Sequence, residues 1–138
     1  MRGAAEAEAA LRPPERQELR AALRRAAHTN GCTLALAGRA LGDGVAAALG
    51  ALMQQPDAPL RRLDLRGNAI GDLGAARLAD GIELNSTVTH LLLSDNAVTD
   101  QGARALAQAL CRNRCLSELW LDGAQPPRQG PRVAAPWS

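Results

Sequence analysis

The chain has 138 residues, 46% of them hydrophobic, which suits one folded domain with a single core. Sixteen basic residues, all arginine, nearly balance 14 acidic ones for a net charge of +2, so bulk charge points neither to nucleic acid nor to an anionic membrane. There is no run of ~18 apolar residues to span a bilayer and no secretory leader, and Cys32, Cys111 and Cys115 are too scattered for a disulfide scaffold. The expected compartment is therefore reducing: the cytosol, with nucleus or cilium as alternatives. Phe and Tyr are absent and Trp occurs only as Trp120 and Trp137, so Leu and Ala must build the core.

In chain order, residues 1–12 show no periodicity and are expected to be disordered. Residues 13–30 predict a helix. Pro13 and Pro14 with Glu15 and Glu18 suit its start, Asn30-Gly31 its stop, and Leu19, Ala22, Leu23, Ala26 and Ala27 form one apolar stripe. Its expected role is to cover the open edge of the array that follows, because a stack of repeats needs a cap with one polar face.

From Leu60 the sequence repeats itself. Leu60, Val88 and Leu116 are 28 apart, as are Leu63, Leu91 and Leu119, and Leu65, Leu93 and Leu121. The same spacing joins Asn68 to Asn96, Asp72 to Asp100, Gly74 to Gly102, Leu78 to Leu106 and Asn85 to Asn113. An upstream copy is displaced by 29: Leu34, Leu36, Leu41, Asp43, Leu49 and Met53 precede Leu63, Leu65, Ile70, Asp72, Leu78 and Ile82, with Arg39 standing where later copies have Asn. The extra residue is assigned to the connection Gln54 to Pro59. The units are therefore 31–59, 60–87, 88–115 and a partial 116–124.

Each unit opens with period-two leucines, the pattern of a short strand with one buried face, and closes with leucines four apart on a helix. Strand and helix alternate, so the sheet is parallel. The Asn after each strand is expected to bond exposed backbone groups along the stack, and Asp72 and Asp100 to cap their own helices. Residues 125–138 carry four prolines and predict a disordered tail. The fourth unit then has no helix, and Leu119 and Leu121 either meet Val133 and Trp137 or lie at an open edge.

The spacing of 28 and 29, the L-x-x-L-x-L-x-x-N strand segment and the x-A-x-x-L-A-x-A-L helix resemble the ribonuclease-inhibitor-like class of leucine-rich repeats over residues 31–124. That resemblance implies an α/β right-handed solenoid, a horseshoe segment with parallel strands on the concave face, helices on the convex face, and an N-terminal capping helix. It also implies a non-catalytic scaffold that recognises proteins. With barely three complete repeats, the chain is short for a wraparound inhibitor.

On this reading the concave columns are Thr33, Arg62, His90 and Glu118; Ala35, Asp64, Leu92 and Trp120; and Ala37, Arg66, Ser94 and Asp122. Partner binding is expected through the residues of those columns from Arg62 onward, centred on Trp120, because an outward strand Trp has no core to fill and Trp is enriched at interface hot spots. The competing expectation is that Trp120 folds against the tail. No cofactor, metal or catalytic group is expected: phosphate-cradling and nucleophile-elbow motifs are absent, and Asn113 separates Cys111 from Cys115. The alternatives are stacking on a second copy or another repeat protein through the edge at Leu119 and Leu121, and regulation of a small GTPase through Arg39.

Overall fold

The computed structural model describes residues 9–27, 33–55 and 60–121. Within them lie α1 (Pro13–Ala27), β1 (Thr33–Ala35), α2 (Asp43–Met53), β2 (Arg62–Asp64), α3 (Asp72–Leu84), β3 (His90–Leu92), α4 (Asp100–Leu110) and β4 (Glu118–Trp120). The strands form one parallel sheet in the order β1-β2-β3-β4, so each crossover carries a helix and advances one position. The register joins Leu34 to Leu63, Leu63 to Leu91 and Leu91 to Leu119, the residues that the repeat spacing aligns. The result is an α/β repeat solenoid. No described helix is long and apolar enough to cross a membrane. The expected helix stop at Asn30-Gly31, the connection Pro56 to Pro59, Cys32, Asp122, Val133 and Trp137 lie outside the described residues.

The core lies between the strand layer and the helices. Leu34, Leu63, Leu91 and Leu119 from the strands meet Leu49, Leu78 and Leu106 from the helices, all essentially buried. Each such leucine contributes about 1.5–3 kcal/mol over an exposed one. Helix α1 packs on β1 and α2, burying Leu19, Ala22 and Ala26. Leu11 falls in the stretch assigned from sequence to a disordered N-terminus, but its side chain is buried, and Arg16 Nη2 donates to the carbonyls of Ala9 and Leu11. Leu11 packs against the start of α2, where a Cβ on Gly44 would lie 3.1 Å from its Cδ2.

Glycine sets the approach of α2 and α3. A Cβ on Gly50 would stand 2.2 Å from the Arg77 carbonyl oxygen, and one on Gly81 would stand 2.5 Å from the Gly50 carbonyl oxygen. Only glycine permits backbones so close.

Polar side chains bind each unit to its neighbour. Asn68 Oδ1 accepts from the amides of Arg39 and Leu41, while its Nδ2 donates to the Leu36 and Leu65 carbonyls. Asn96 repeats this one unit later, accepting from the amides of Asn68 and Ile70 and donating to the carbonyls of Leu65 and Leu93. A second asparagine series lies where helix returns to strand: Asn85 Nδ2 donates to the Met53 carbonyl, and Asn113 Nδ2 to the carbonyls of Ile82 and Asn85.

The aspartates correct the sequence expectation. Gly71 and Thr99, not Asp72 and Asp100, are the N-cap residues of α3 and α4. Asp72 instead reaches forward to the next unit, where Oδ1 accepts from the Thr99 and Gly102 amides and Oδ2 from the Thr99 hydroxyl. Asp43 does the same for Gly71 N–H at 2.7 Å. Standing one residue inside its own helix, the carboxylate lies beside the neighbouring helix start and meets that positive dipole end. Gly74 and Gly102 make the room: a Cβ there would fall 2.5 Å from Asp43 Oδ1 and 2.7 Å from Asp72 Oδ1.

These connections explain the irregular first unit. Arg39 occupies the asparagine position where no earlier repeat needs one, and its Nη1 pairs at 2.8 Å with Glu18 Oε2 of α1. Val45, fully buried, occupies the position of Gly74, where no earlier aspartate must be seated.

Candidate functional site

The parallel register places the outward strand residues in the columns read from the spacing: Thr33, Arg62, His90 and Glu118 align, as do Ala35, Asp64, Leu92 and Trp120. Of the third column, Ala37 and Arg66 are exposed, Ser94 is buried, and Asp122 lies outside the described residues.

Most charges on this face are satisfied within it. Arg66 grips Asp64 as a fork, Nε to Oδ1 at 2.8 Å and Nη2 to Oδ2 at 2.7 Å. The Arg66 hydrogen bonds hold the Asp64 carboxyl below its ordinary pKa despite partial burial, with Arg62 adding attraction. Glu118 serves two neighbours: Trp120 Nε1 donates to Oε1 at 2.9 Å, and His90 Nε2 lies 3.2 Å from Oε2. The indole hydrogen bond is the main cause of the lowered Glu118 pKa; desolvation opposes it, and His90 and Arg62 assist. His90 Nδ1 in turn lies 2.8 Å from Thr89 Oγ1. Arg62 is exposed and makes no ion pair among the described residues.

Trp120 is 43% exposed, the one large apolar side chain that the strand face presents among the described residues. It borders a recess of about 320 Å³ with Arg62, Arg66, Leu92, Ser94 and Asp95. Leu92 and Ser94 are only 4% and 8% exposed, so within the recess they lie at the floor rather than the rim. Asp95 was not among the sequence candidates. It holds φ +58 at the position filled by glycine in Gly38 and Gly67, both at φ +68, and that substitution of Asp into a glycine position was the available signal.

Two stretches of this face and its helices, residues 58–79 and 84–107, match the family model described as Leucine Rich repeat. The fold is a leucine-rich-repeat solenoid. A solved structure titled leiomodin-1 actin-binding site 2 superposes on it with a TM-score of 0.69 at 17% identity, over 83% of this chain and 65% of that one. The chain thus spans 65%, less than two thirds, of the length of that neighbour. No curated protein matches it in sequence.

Outside the strand face, Leu73 and Leu84 are exposed on α3, and a groove of about 520 Å³ between α3 and α4 is lined by four alanines together with polar side chains that include the Arg112–Glu83 ion pair. Cys111 and Cys115 are free thiols on either side of the Asn113 turn. Among the described residues no His, Cys, Asp and Glu side chains group to hold a metal.

Proposed function

We propose that the chain is a non-catalytic interaction module that holds a partner protein on its concave strand face, in the recess beside Trp120. The observation that carries this reading is the indole itself: exposed over a buried Leu92 floor, fixed through Glu118, and flanked by Arg62, which makes no ion pair among the described residues. A rigid aromatic beside a cation is the composition of an interface anchor. Arg62, Asp64, Arg66, His90, Glu118 and Trp120 supply the rim of this site and Leu92 and Ser94 its floor, and Asp122, outside the described residues, is assigned to the same face by the repeat spacing alone. The repeat spacing supports the ribonuclease-inhibitor-like class, and the cysteine usage supports the cytosol.

The leiomodin neighbour is named for an actin-binding site, which makes actin the first partner to test. Co-sedimentation and affinity capture should be run with the wild type and with Trp120→Ala/Arg62→Ala. Truncating a central anchor costs at least about 2 kcal/mol, so the double variant should bind more than about thirty-fold more weakly. Unchanged capture by a folded double variant would overturn the reading. The GTPase-regulating alternative loses its support because Arg39 is engaged with Glu18 of the capping helix.

A further inference from the structure

The recess beside Trp120 holds two polar groups that the fold leaves unused. Its walls stand on β2 and β4, two strand spacings or roughly 10 Å apart. Arg62 and Arg66 form one wall and the Trp120 indole the other, with Leu92 and Ser94 of the intervening segment as the floor. Arg62 is the first unused group: it makes no hydrogen bond or ion pair among the described residues, although Asp64 and Glu118 both feel its charge. Their oxygens are committed elsewhere, Asp64 to the Arg66 fork and Glu118 to the indole N–H and His90. Asp95, the one carboxylate that lines the recess, acts on Arg66. Ser94 Oγ is the second group. The residue is 8% exposed, lines the recess, and its hydroxyl has no hydrogen-bond partner among the described residues. Leaving a buried hydroxyl unmet is unfavourable, so a ligand that meets it gains affinity.

Resting on the concave-face reading above, we propose that the recess takes an extended segment of a partner polypeptide that carries one acidic side chain. The carboxylate sits on the Arg62 guanidinium, an apolar neighbour lies against Trp120, and a backbone polar group of the segment meets Ser94 Oγ. Charge selects this occupant. The lining sets two arginines against one aspartate, a surplus of one positive charge that a single carboxylate balances. The dianion of a phosphate ester would add its second charge beside Asp64, Asp95 and Glu118. Length selects it as well. Ser94 aligns with Arg66, four positions along from Arg62, so the two unused groups stand on positions about 13 Å apart in the strand direction. Several residues of extended chain span that distance, and a small carboxylic acid does not. The sequence that follows β4 offers no such side chain, because residues 123–138 contain neither Asp nor Glu.

The test uses the full chain with Trp137→Phe, which leaves Trp120 as its one tryptophan. The probes are acetyl-Ser-Leu-Glu-Leu-Ser-amide and the same peptide with Gln or Lys in place of Glu, blocked so that the ends carry no charge. Titration into the millimolar range, read by Trp120 fluorescence, should show the Glu peptide binding at least about tenfold more tightly than the Gln peptide. Added salt should shrink that preference. Arg62→Gln should erase it, and Arg62→Glu should turn it toward the Lys peptide. Ser94→Ala should weaken the Glu and Gln peptides alike, by about threefold. Arg62 is exposed, so its variants should keep the wild-type unfolding midpoint. Equal binding of the three peptides, no saturable response to any of them, or a preference that survives Arg62→Gln overturns the proposal. If Trp120→Ala still abolishes partner capture in those cases, the concave-face reading stands; if capture persists, both fall. Two further results assign Arg62 to another occupant and also overturn the proposal. One is a tenfold gain in Glu-peptide affinity on Asp57→Asn or Asp122→Asn, acids of this chain outside the described residues. The other is a dimer in sedimentation that Arg62→Gln dissociates.

Discussion

Asp72 and Gly102 form a pair in which the carboxylate needs the space that the missing side chain leaves. Removing the acceptor with Asp72→Ala should destabilise by about 1–2 kcal/mol, and Gly102→Ala should do so comparably by displacing the carboxylate. Because both lesions break the same contact, urea titration of the double variant should show less than the sum of the two. Desolvation of Asp72 favours its neutral form, but the hydrogen bonds from the Thr99 hydroxyl, the Thr99 amide and the Gly102 amide outweigh it and lower the pKa. A carboxyl lowered on folding contributes stability that is complete above its unfolded value, about 3.9, and lost as pH falls through the folded value. The wild-type urea midpoint should therefore decline below about pH 4, and Asp72→Asn should flatten that decline. Asp64 and Glu118 shift in the same direction. Backbone strain is the other residue-scale term. Ala69 holds φ +59, and Ala69→Gly should raise stability by about 0.5 kcal/mol, the relieved left-handed strain less the extra entropy of glycine.

At the scale of elements, the strand and helix assignments follow from leucine spacing because burial on one face is a property of period. The column partners were legible for the same reason: once the strands are parallel and 28 or 29 residues apart, alignment in sequence is alignment in space. The aspartate's true partner was not, since the chain's local pattern fits capping of its own helix, and only the packing of α3 on α4 reveals which amides lie nearer. The floor position of Leu92 was also hidden, because the period describes one strand while the burial of an outward residue depends on its neighbours across strands. Two substitutions separate these element-scale forces. Asn68→Ala leaves buried amides and carbonyls of two units unpaired and should cost about 2–4 kcal/mol by thermal or urea unfolding. Gly81→Ala forces α2 from α3 and should cost about 1–3 kcal/mol, while the exposed Leu84→Ala at the end of the same helix should change stability by less than about 0.5 kcal/mol.

Across the whole molecule, every strong connection joins nearest neighbours, so its stability is the sum of three junctions and one capping helix. Disrupting α1 should therefore loosen β1 and α2 first, which native-state exchange would register as early opening of the first unit while Leu91 and Leu93 stay protected. The asparagines add a direction to this arrangement. Arg39 and Leu41 wait for Asn68, and Asn68 and Ile70 wait for Asn96, so the turns of the first two units are completed by a residue synthesised 26 to 29 positions later. On the ribosome, each of the first two units keeps an unfinished turn until its successor clears the exit tunnel. Folding during translation should accordingly advance in steps of one repeat and trail synthesis by a repeat's length, and arrested chains ending at successive positions, probed by proteolysis, should gain resistance in such steps.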